Sequence, residues 1–287
     1  MNRRFDKIVS LIPDKLYLSL KFYKNFGRFP NWKNPQTFSE KLQWLKLYDR
    51  KPEYTTMVDK YAVKDYVASI IGSEYVIPTL GLWDKPEDIE WEKLPNQFVL
   101  KTSHGGGSDG VVICRDKATF DKERAIKLLN ENLKTDLYVV WREWPYKNVP
   151  KRILAEKYIE PCLETKDLPD YKFFCFNGEP KYCQVISGRG THMSIDFFDH
   201  EWKHQLFHEP HDYPFADDEP QKPECFEQMW SFARQLAKDK AFSRIDFYQV
   251  HNQVLFGEIT FFPTSGMGGF KPQEWDTIFG KLLILPE

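Results

Sequence analysis

The sequence predicts an α+β protein in which a helical N-terminal part precedes a series of antiparallel strand pairs. Apolar residues recur at helical spacing within residues 1–72, and short segments rich in β-branched and aromatic residues then follow one another. Two turn signals join neighbouring segments of this kind. Strands and helices do not alternate regularly, as they would around a parallel sheet.

The helical part carries two helix signals. Thr37-Phe38-Ser39-Glu40 has the spacing of a capping box, and Leu42, Leu45 and Tyr48 form the apolar stripe that follows it. A second helix is predicted over residues 58–71, with Gly72 as its C-terminal stop.

The rest of the chain is predicted to be mainly strands. They are expected at residues 75–82, 98–103, 111–114, 153–159, 171–176, 182–186, 243–250 and 254–262. Helices are expected at residues 126–133 and 226–236. Asn177-Gly178 predicts a tight hairpin turn, and His251-Asn252 is expected to turn the last strand pair.

Composition limits the possible classes of protein. A chain of 287 residues suits two or three lobes that share a cleft, and a net charge of −2 gives no support to a protein that binds duplex nucleic acid. The five cysteines are scattered and form no C-x-x-C, which favours reduced thiols in a cytoplasmic protein. No segment reaches the ~18–20 consecutive apolar residues that span a bilayer.

The first thirty residues are basic, with seven Lys or Arg against two Asp. A helix packed through Phe5, Ile8, Val9 and Ile12, with its lysines in water, is the favoured interpretation. An amphipathic helix that rests on an anionic membrane is the alternative.

A glycine-rich loop covers residues 104–110 and reads HGGGSDG. A dinucleotide-binding loop would lead into a helix, whereas a strand follows here, and no Walker-type Lys-Ser/Thr is present. A protein kinase would place its lysine after the loop, whereas Lys101 precedes it, and no H-R-D or D-F-G occurs. Glycines let backbone N–H groups approach phosphate oxygens, so the loop predicts a phosphate-binding flap. A flexible hairpin tip is the alternative.

Two carboxylates on the last strand pair form a candidate metal site. Alternation places Arg244 and Asp246 on one face, and Glu258 and Thr260 on one face of the partner strand. A turn at residues 251–252 sets position 246 roughly opposite position 257, so Asp246 and Glu258 can approach each other. Paired carboxylates favour Mg²⁺, and an ordinary strand pair with solvent-facing acids is the alternative.

Taken in order, these motifs resemble the ATP-grasp superfamily: a lysine strand and glycine flap, AEKYIE (155–160), Arg-x-Asp, and a glutamate strand that ends at Pro263. Five blocks resemble its teichuronopeptide-biosynthesis (TupA-like) branch, namely FSEKLQW (38–44), DKYAV (59–63), FVLK (98–101), DYKF (170–173) and FNG (176–178). The resemblance implies the ATP-grasp fold, with two α+β lobes gripping ATP. It divides the chain into an N-terminal helical region (1–55), an N-terminal lobe with the flap (56–155) and a C-terminal lobe with the metal strands (156–287).

The same resemblance implies ATP and Mg²⁺ as cofactors and assigns the site residues. The candidate nucleotide-binding residues are Lys60, Lys101, Ser103, Gly105, Gly106, Gly107, Glu156, Lys157, Tyr158, Ile159 and Glu160. Within them, residues 156–160 would form the hinge that binds adenine and ribose. Lys172 would contact the nucleotide or an acyl phosphate, and Arg244 would steady the transferred phosphoryl group. Asp246 and Glu258 would hold Mg²⁺ with Thr260, where the superfamily usually has Asn.

The TupA-like branch implies a ligase that activates a carboxylate as an acyl phosphate, releases ADP, and joins the acid to an amine. The implied partners are a uronic acid or other small carboxylate and an amine, in surface-polysaccharide (capsule) biosynthesis, with no nucleic acid and at most peripheral membrane contact. Arg189 is a candidate clamp for the substrate carboxylate, since a guanidinium binds a carboxylate through two bonds. An arginine in a glycine-flanked surface turn is the equal alternative.

Two rival functions stay open. A metal-dependent glycosyltransferase often carries Asp-x-Asp, which is missing here, and a non-catalytic nucleotide-binding module would not need the lysines, the carboxylates and Arg244 together. Four histidines are spaced as zinc ligands on a helix would be, but the residues between them break a helical face, so loop histidines are expected instead: His200, His204, His208 and His211.

Overall fold

The computed structural model describes residues 9–107, 110–161, 168–189, 192–209 and 213–287. Its α-helices in these parts are α1 (Asp14–Phe26), α2 (Phe38–Tyr48), α3 (Glu53–Val58), α4 (Val63–Ile71), α5 (Lys122–Leu133), α6 (Leu137–Trp141), α7 (Phe226–Ala237) and α8 (Glu274–Leu282). Its strands are β1 (Thr79–Trp83), β2 (Phe98–Thr102), β3 (Val111–Cys114), β4 (Ile153–Lys157), β5 (Asp170–Phe176), β6 (Glu179–Ser187), β7 (Ser194–Phe198), β8 (His204–Gln205), β9 (Phe242–Val250) and β10 (Gln253–Thr260). None of the helices described is long and apolar enough to cross a bilayer.

The predicted capping box at the start of α2 is confirmed. The hydroxyl of Thr37 accepts a hydrogen bond from the Glu40 N–H, and the Glu40 carboxylate accepts one from the Thr37 N–H. These two bonds satisfy N–H groups that have no partner inside the helix. The same carboxylate also pairs with Arg28, so this helix start is tied to the preceding loop.

The helix predicted over residues 58–71 is confirmed from Val63 to Ile71, but its predicted start is wrong, because a separate helix ends at Val58. α3 ends at Val58, and the Asp59 carboxylate accepts hydrogen bonds from the N–H groups of Tyr61 and Ala62, which starts a new turn before α4. Gly72 ends α4 as predicted, with a φ of 111° that a residue with a side chain rarely adopts.

The first sheet has four antiparallel strands in the order β1-β4-β2-β3. Its core is formed by Phe98, Leu100, Ile153 and Ala155, with Leu129 of α5 packed against them. β1 begins later than predicted, because residues 73–75 form a 3₁₀ turn. The glycine-rich loop connects β2, a middle strand, to β3, which lies at the edge of the sheet.

The second sheet has six antiparallel strands in the order β10-β9-β5-β6-β7-β8. Asn177 and Gly178 both have positive φ, at 50° and 84°, so the predicted hairpin turn between β5 and β6 is confirmed. The turn at His251 is also confirmed, with a φ of 51°.

Both faces of the second sheet carry packed aromatic rings. On one face, Phe173 and Phe247 lie against Phe226 of α7 and its neighbours. On the other face, one end is covered by the rings of Phe38 and Phe279, which belong to α2 and α8. The other end of that face carries charged side chains instead and is the candidate site.

Candidate active site

A β-bulge at Gly257 brings the two candidate metal carboxylates together. Phe256 pairs with Phe247, but the next pair is Glu258 with Asp246, so Gly257 is the extra residue on β10. In an uninterrupted register Glu258 would lie opposite Ile245, whose side chain is fully buried in the core. Residues directly opposite in an antiparallel pair share a face. The predicted pairing of 246 with 257 is therefore corrected by one residue, and this shift puts Glu258 on the same face as Asp246.

A network of alternating charges covers this face. Arg244 donates to both oxygens of Asp246, at 2.7 Å and 2.8 Å, and to Glu258 at 3.1 Å. Lys172, which lies opposite Asp246 on β5, forms an ion pair with it, and Lys60 pairs with Glu258 at 3.3 Å. The network thus brings three cations around two carboxylates.

The electrostatics of the network favour the charged forms of Glu258 and Arg244. Burial disfavours ionisation of Glu258, but Lys60, Lys172 and Arg244 outweigh it and hold the pKa of this carboxyl well below its usual range. Burial likewise opposes the charge on Arg244, yet Asp246 and Glu258 raise the pKa of its guanidinium. Thr260 lies opposite Arg244, and its hydroxyl accepts from Arg244 at 3.2 Å.

Lys60 connects this face to the glycine-rich loop. Its ammonium donates to the Gly105 carbonyl at 2.6 Å as well as to Glu258, and its backbone N–H donates to the Ser103 carbonyl at 2.9 Å. Ser103 is fully buried, and its hydroxyl donates to the Pro150 carbonyl at 2.6 Å. The base of the loop is therefore fixed from two sides.

The glycines of the loop are required for different reasons. A Cβ at Gly105 would lie 2.5 Å from the Thr102 hydroxyl, and Gly107 has a φ of 66°. Gly106 and Gly107 are exposed. Ser108 and Asp109, which complete the predicted flap, lie outside the described residues.

Glu156 of β4 is held between two lysines. Lys101 of β2 pairs with one carboxylate oxygen at 2.5 Å, and Lys64 of α4 pairs with the other at 2.6 Å. Burial opposes ionisation of Glu156, but the two lysines outweigh it and lower the pKa of the carboxyl. Sequence reasoning missed Lys64. The available signal was its position four residues after Lys60, one helical turn along the chain.

The remaining hinge candidates lie at the end of β4 and just beyond it. The Lys157 N–H donates to the Pro78 carbonyl at 3.0 Å, so this N–H already has a partner within the protein. Tyr158 accepts from Arg115 at 3.4 Å. Ile159 is half-buried, whereas Glu160 is exposed. Of residues 156–160, only Glu156 pairs with Lys64 and Lys101.

Arg189 extends the charge network at its open edge. Its guanidinium pairs with Asp170, whose other oxygen lies 3.9 Å from the ammonium of Lys172. The Arg189 side chain is 44% exposed, which leaves it accessible to a ligand. Asp170 was not predicted, although it stands two residues before Lys172 on the same strand face.

A strained turn directly after β10 was also missed. Thr264, Ser265 and Gly266 have consecutive positive φ values of 47°, 56° and 60°, and such strain persists only where the surroundings enforce it. Gln43 of α2 donates to the carbonyls of Ser265 and Gly266 at 3.1 Å and 2.9 Å. Lys46 donates to the Ser265 carbonyl at 2.8 Å and to its hydroxyl at 2.7 Å. Burial lowers the pKa of Lys46 to about 7.

The buried phenol of Tyr146 lies within the electrostatic influence of Glu143 and of the candidate metal carboxylates. Burial raises the pKa of its phenol, and the next contributions come from Glu143 and Glu258. Glu143 in turn is coupled electrostatically to Lys46 and hydrogen-bonded to Ser265. No sequence signal identified this tyrosine, because Glu258 belongs to a distant part of the chain.

Three of the four histidines considered as zinc ligands lie within the described residues, and they contact different partners. His200 contacts Glu227 at 3.0 Å, and His204 contacts Asp196 at 3.1 Å. His208 pairs through its backbone with Lys271, and His211 lies outside the described residues. In the described parts of the chain no group of three or more His, Cys, Asp or Glu is placed to hold a metal.

A surface cavity of about 380 Å³ lies away from the network on the outer side of α2. Its lining includes Lys33, Lys41, Trp44 and Lys281. None of its lining residues belongs to the charge network, so we place the site by side-chain chemistry and not by cavity size.

Comparison with known proteins shows the family. No curated protein matches the chain in sequence. Among solved structures, the D-alanine–D-alanine ligase of Bacillus anthracis is 18% identical, with a TM-score of 0.41, over 71% of this chain and 57% of that one. The D-alanine–D-alanine ligase of Helicobacter pylori is 14% identical, with a TM-score of 0.45, over 86% of this chain and 69% of that one.

A RimK domain ATP-grasp protein of Sphaerobacter thermophilus is 10% identical, with a TM-score of 0.41, over 80% of this chain and 69% of that one. A family model described as TupA-like ATPgrasp matches residues 40–284, which include every candidate site residue named above. The chain therefore belongs to the TupA-like ATP-grasp family and has its mixed α+β fold.

Proposed function

We propose that the protein is an ADP-forming ligase that uses ATP to join a carboxylate to an amine. The observation that carries this proposal is the network in which Arg244 bridges Asp246 and Glu258 while Lys60 connects them to the glycine-rich loop. Phosphoryl transfer needs positioned positive charge, and here Arg244 and Lys172 supply it from strands, while Lys60 supplies it from the loop before α4.

The nucleotide is assigned to the space between the two sheets. Lys60 and Lys101 are the cations proposed for the phosphates, with Gly105, Gly106 and Gly107 closing over them. Glu156 holds Lys101 in place through their ion pair. Residues 157–160 are proposed to face the adenine and the ribose. In domain terms, the flap belongs to the N-terminal lobe (56–155) and the carboxylates belong to the C-terminal lobe (156–287).

The donor set at the carboxylates fits Mg²⁺. Asp246, Glu258 and Thr260 offer oxygen atoms only, on one face of two adjacent strands. In this position Mg²⁺ would neutralise negative charge on phosphate oxygens. Lys172 and Arg244, which compensate the carboxylates in the structure, are the side chains that we assign to the transferred phosphoryl group.

The proposed reaction has two steps. A carboxylate is a poor acyl donor, so ATP first phosphorylates it, and the amine then displaces phosphate from the acyl phosphate. The protein contributes positioning and charge, without a covalent nucleophile. Burial raises the pKa of the thiols of Cys175 and Cys183 well above their usual range, which keeps both protonated and argues against a thioester route.

The family and the position of Arg189 support a proposal for the substrate class. We propose a uronic acid carboxyl of a surface polysaccharide as the acid, and an amino acid or other amine as the acceptor. Arg189 is half-exposed at the open edge of the network, and its partner Asp170 orients the guanidinium. An incoming carboxylate would take part of the interaction that Asp170 now makes.

The test is product analysis with purified protein, MgATP and a panel of uronic acids and amines. We expect ADP and phosphate, and a hydroxamate when hydroxylamine replaces the amine. Arg244→Gln should abolish both, whereas Lys281→Ala, an exposed lysine of α8, should leave both unchanged. Release of AMP and pyrophosphate would contradict the acyl phosphate. Transfer of a sugar with no use of ATP would identify a glycosyltransferase instead.

A further inference from the structure

The outward face of α1 is apolar. Leu18 and Phe22 are fully buried on its inner side, where they pack with Met267. On the outer side Leu16, Leu20 and Tyr23 are 53%, 52% and 50% exposed. Their spacing of four and three residues places them in one row along the helix. A surface helix normally presents polar residues to water on this side.

This outer row continues beyond the helix. Phe29 is 59% exposed and stacks on Tyr23 with ring centroids 4.9 Å apart. We call these four residues the outer stripe: Leu16, Leu20, Tyr23 and Phe29. Of the twelve large hydrophobic residues that are exposed in the described parts of the chain, four lie in this stripe. Contiguous apolar surface of this kind marks an interaction site.

Basic residues flank the stripe. Lys15 and Lys24 are exposed, and at 3.6 residues per turn they lie on opposite sides of the row formed by Leu16, Leu20 and Tyr23. Asp14, the acid of this helix, is already paired with Arg50 at 2.7 Å and with Arg142 at 3.0 Å.

The net charge is also unevenly distributed along the chain, with the positive charge in the N-terminal part. The first thirty residues carry seven Lys or Arg and two Asp, a balance of +5, so residues 31–287 carry −7 of the total of −2. The part of the chain that contains the outer stripe is therefore attracted to a negatively charged surface, whereas the remainder is not.

We propose that the outer stripe anchors the protein on the surface of an anionic phospholipid bilayer. An apolar face buried at the headgroup boundary, with lysines reaching lipid phosphates on both sides, is the arrangement of interfacial helices. α1 has 13 residues and is about 20 Å long, too short to cross a hydrocarbon core of about 30 Å. It can therefore lie on the membrane without spanning it.

The flanking lysines favour a bilayer over a second copy of the chain. Two copies joined through this face by a twofold axis would bring Lys15 and Lys24 of one copy against the lysines of the other. Like charges placed together in an interface oppose association. Anionic headgroups instead supply the opposite charge on both sides of the stripe.

Binding through α1 would also bring the candidate site to the membrane surface. Met267, which packs against Leu18 and Phe22, directly follows the strained turn after β10.

The experiment is sedimentation of the full-length protein with vesicles of phosphatidylcholine, with and without phosphatidylglycerol. We expect binding to the anionic vesicles, weaker binding at high salt, and little binding to the neutral ones. The double variant Leu16→Glu/Leu20→Glu should weaken binding by about tenfold or more, because it removes two apolar contacts and adds repulsion. The matched control Leu206→Glu changes a leucine that is 70% exposed elsewhere and should bind as the wild type does.

Three outcomes would overturn the proposal. The first is no binding to anionic vesicles by the wild type, and the second is equal binding by the double variant while its circular dichroism and melting temperature are unchanged. The third is a dimer in solution that the double variant dissociates, which would make the stripe a self-association surface. Lys15→Gln/Lys24→Gln serves as a second variant, which should show a weaker salt dependence with folding intact.

Discussion

The buried carboxylate of Glu156 forms ion pairs with two lysines at once. Its partners Lys64 and Lys101 come from a helix and from a neighbouring strand, so the ion pairs join two elements to β4. Such a group is costly to bury alone and stable only with its partners. Lys101 therefore has a structural role in addition to its proposed contact with phosphate, and a change at Lys101 would affect folding as well as activity.

We expect Glu156→Gln to lower the free energy of unfolding at pH 7 by about 3 kcal/mol, because it leaves two buried cations without a counter-charge. The pKa of Glu156 is lowered on folding, so its stabilising contribution is present above its unfolded value of 4.5 and is lost as the pH falls through the folded pKa. As the pH falls below 4.5, the free energy of unfolding should therefore decrease less in the variant than in the wild type. Urea unfolding at pH 7 and at lower pH measures this, with Glu160→Gln, an exposed neighbour, as the control. Equal acid sensitivity of both proteins would contradict it.

We propose that Thr260 lies on the metal side of the site, where the resemblance to the ATP-grasp superfamily implies an amide oxygen. An Asn at this position could accept the hydrogen bond from Arg244 that the hydroxyl accepts now, and an amide oxygen is the better ligand for a hard cation. We expect Thr260→Asn to fold normally and to need a lower Mg²⁺ concentration for half-maximal ATP turnover. Asp246→Asn should lose Mg²⁺-dependent turnover in the same titration. A higher Mg²⁺ requirement in Thr260→Asn would refute the assignment of residue 260 to the metal side.

At the scale of elements, α2 holds the strained turn that follows β10. Its residues Gln43 and Lys46 lie one helical turn apart. Gln43 donates to the carbonyls of Ser265 and Gly266, and Lys46 donates to the Ser265 carbonyl. The FSEKLQW block that marks the family thereby has a physical role. Its Gln43 side chain holds a loop more than 200 residues away in the sequence, next to the candidate site.

The expected effect of Gln43→Leu is a loss of about 2 kcal/mol in stability, because two buried carbonyls lose a donor. The turn would also lose its left-handed conformation, so ATP turnover should fall by more than the fraction of unfolded protein accounts for. Thermal melts and turnover at a temperature where both proteins are folded separate the two effects. Gln36→Leu, an exposed glutamine just before α2, is the control. A variant that is less stable but fully active would show that the turn has a structural role only.

At the scale of the whole molecule, Lys60 is the side chain that joins the flap of the first sheet to the carboxylates of the second. It contacts Gly105 and Glu258 from a loop between α3 and α4. A nucleotide bound between the sheets would contact this lysine. Removal of the Lys60 side chain should therefore reduce the increase in stability that a bound nucleotide gives to the fold.

We expect a non-hydrolysable ATP analogue with Mg²⁺ to raise the melting temperature of the wild type, since a ligand at 100 times its dissociation constant contributes about 2.7 kcal/mol. Lys60→Ala should lose most of this increase, and Lys281→Ala should keep it. Differential scanning calorimetry with and without the analogue measures both. An undiminished increase in Lys60→Ala would place the nucleotide elsewhere.

The sequence by itself determined the family and most of the strands, because these depend on local signals. The capping box at Thr37, the turn at Asn177-Gly178 and the strand that follows the glycine loop are each set by a few neighbouring residues. The order of the motifs along the chain was enough to predict the ATP-grasp resemblance.

Only the tertiary structure decided which side chains meet. The bulge at Gly257 depends on how two strands pair, and a shift of one residue moves a side chain to the opposite face. Some contacts join residues far apart in the sequence. Examples are the ion pairs of Glu156 with Lys64 and Lys101, and the hydrogen bond of Gln43 to the turn after β10. Periodicity and motif spacing contain no information on such contacts, because long-range register is set by the packing of the whole fold.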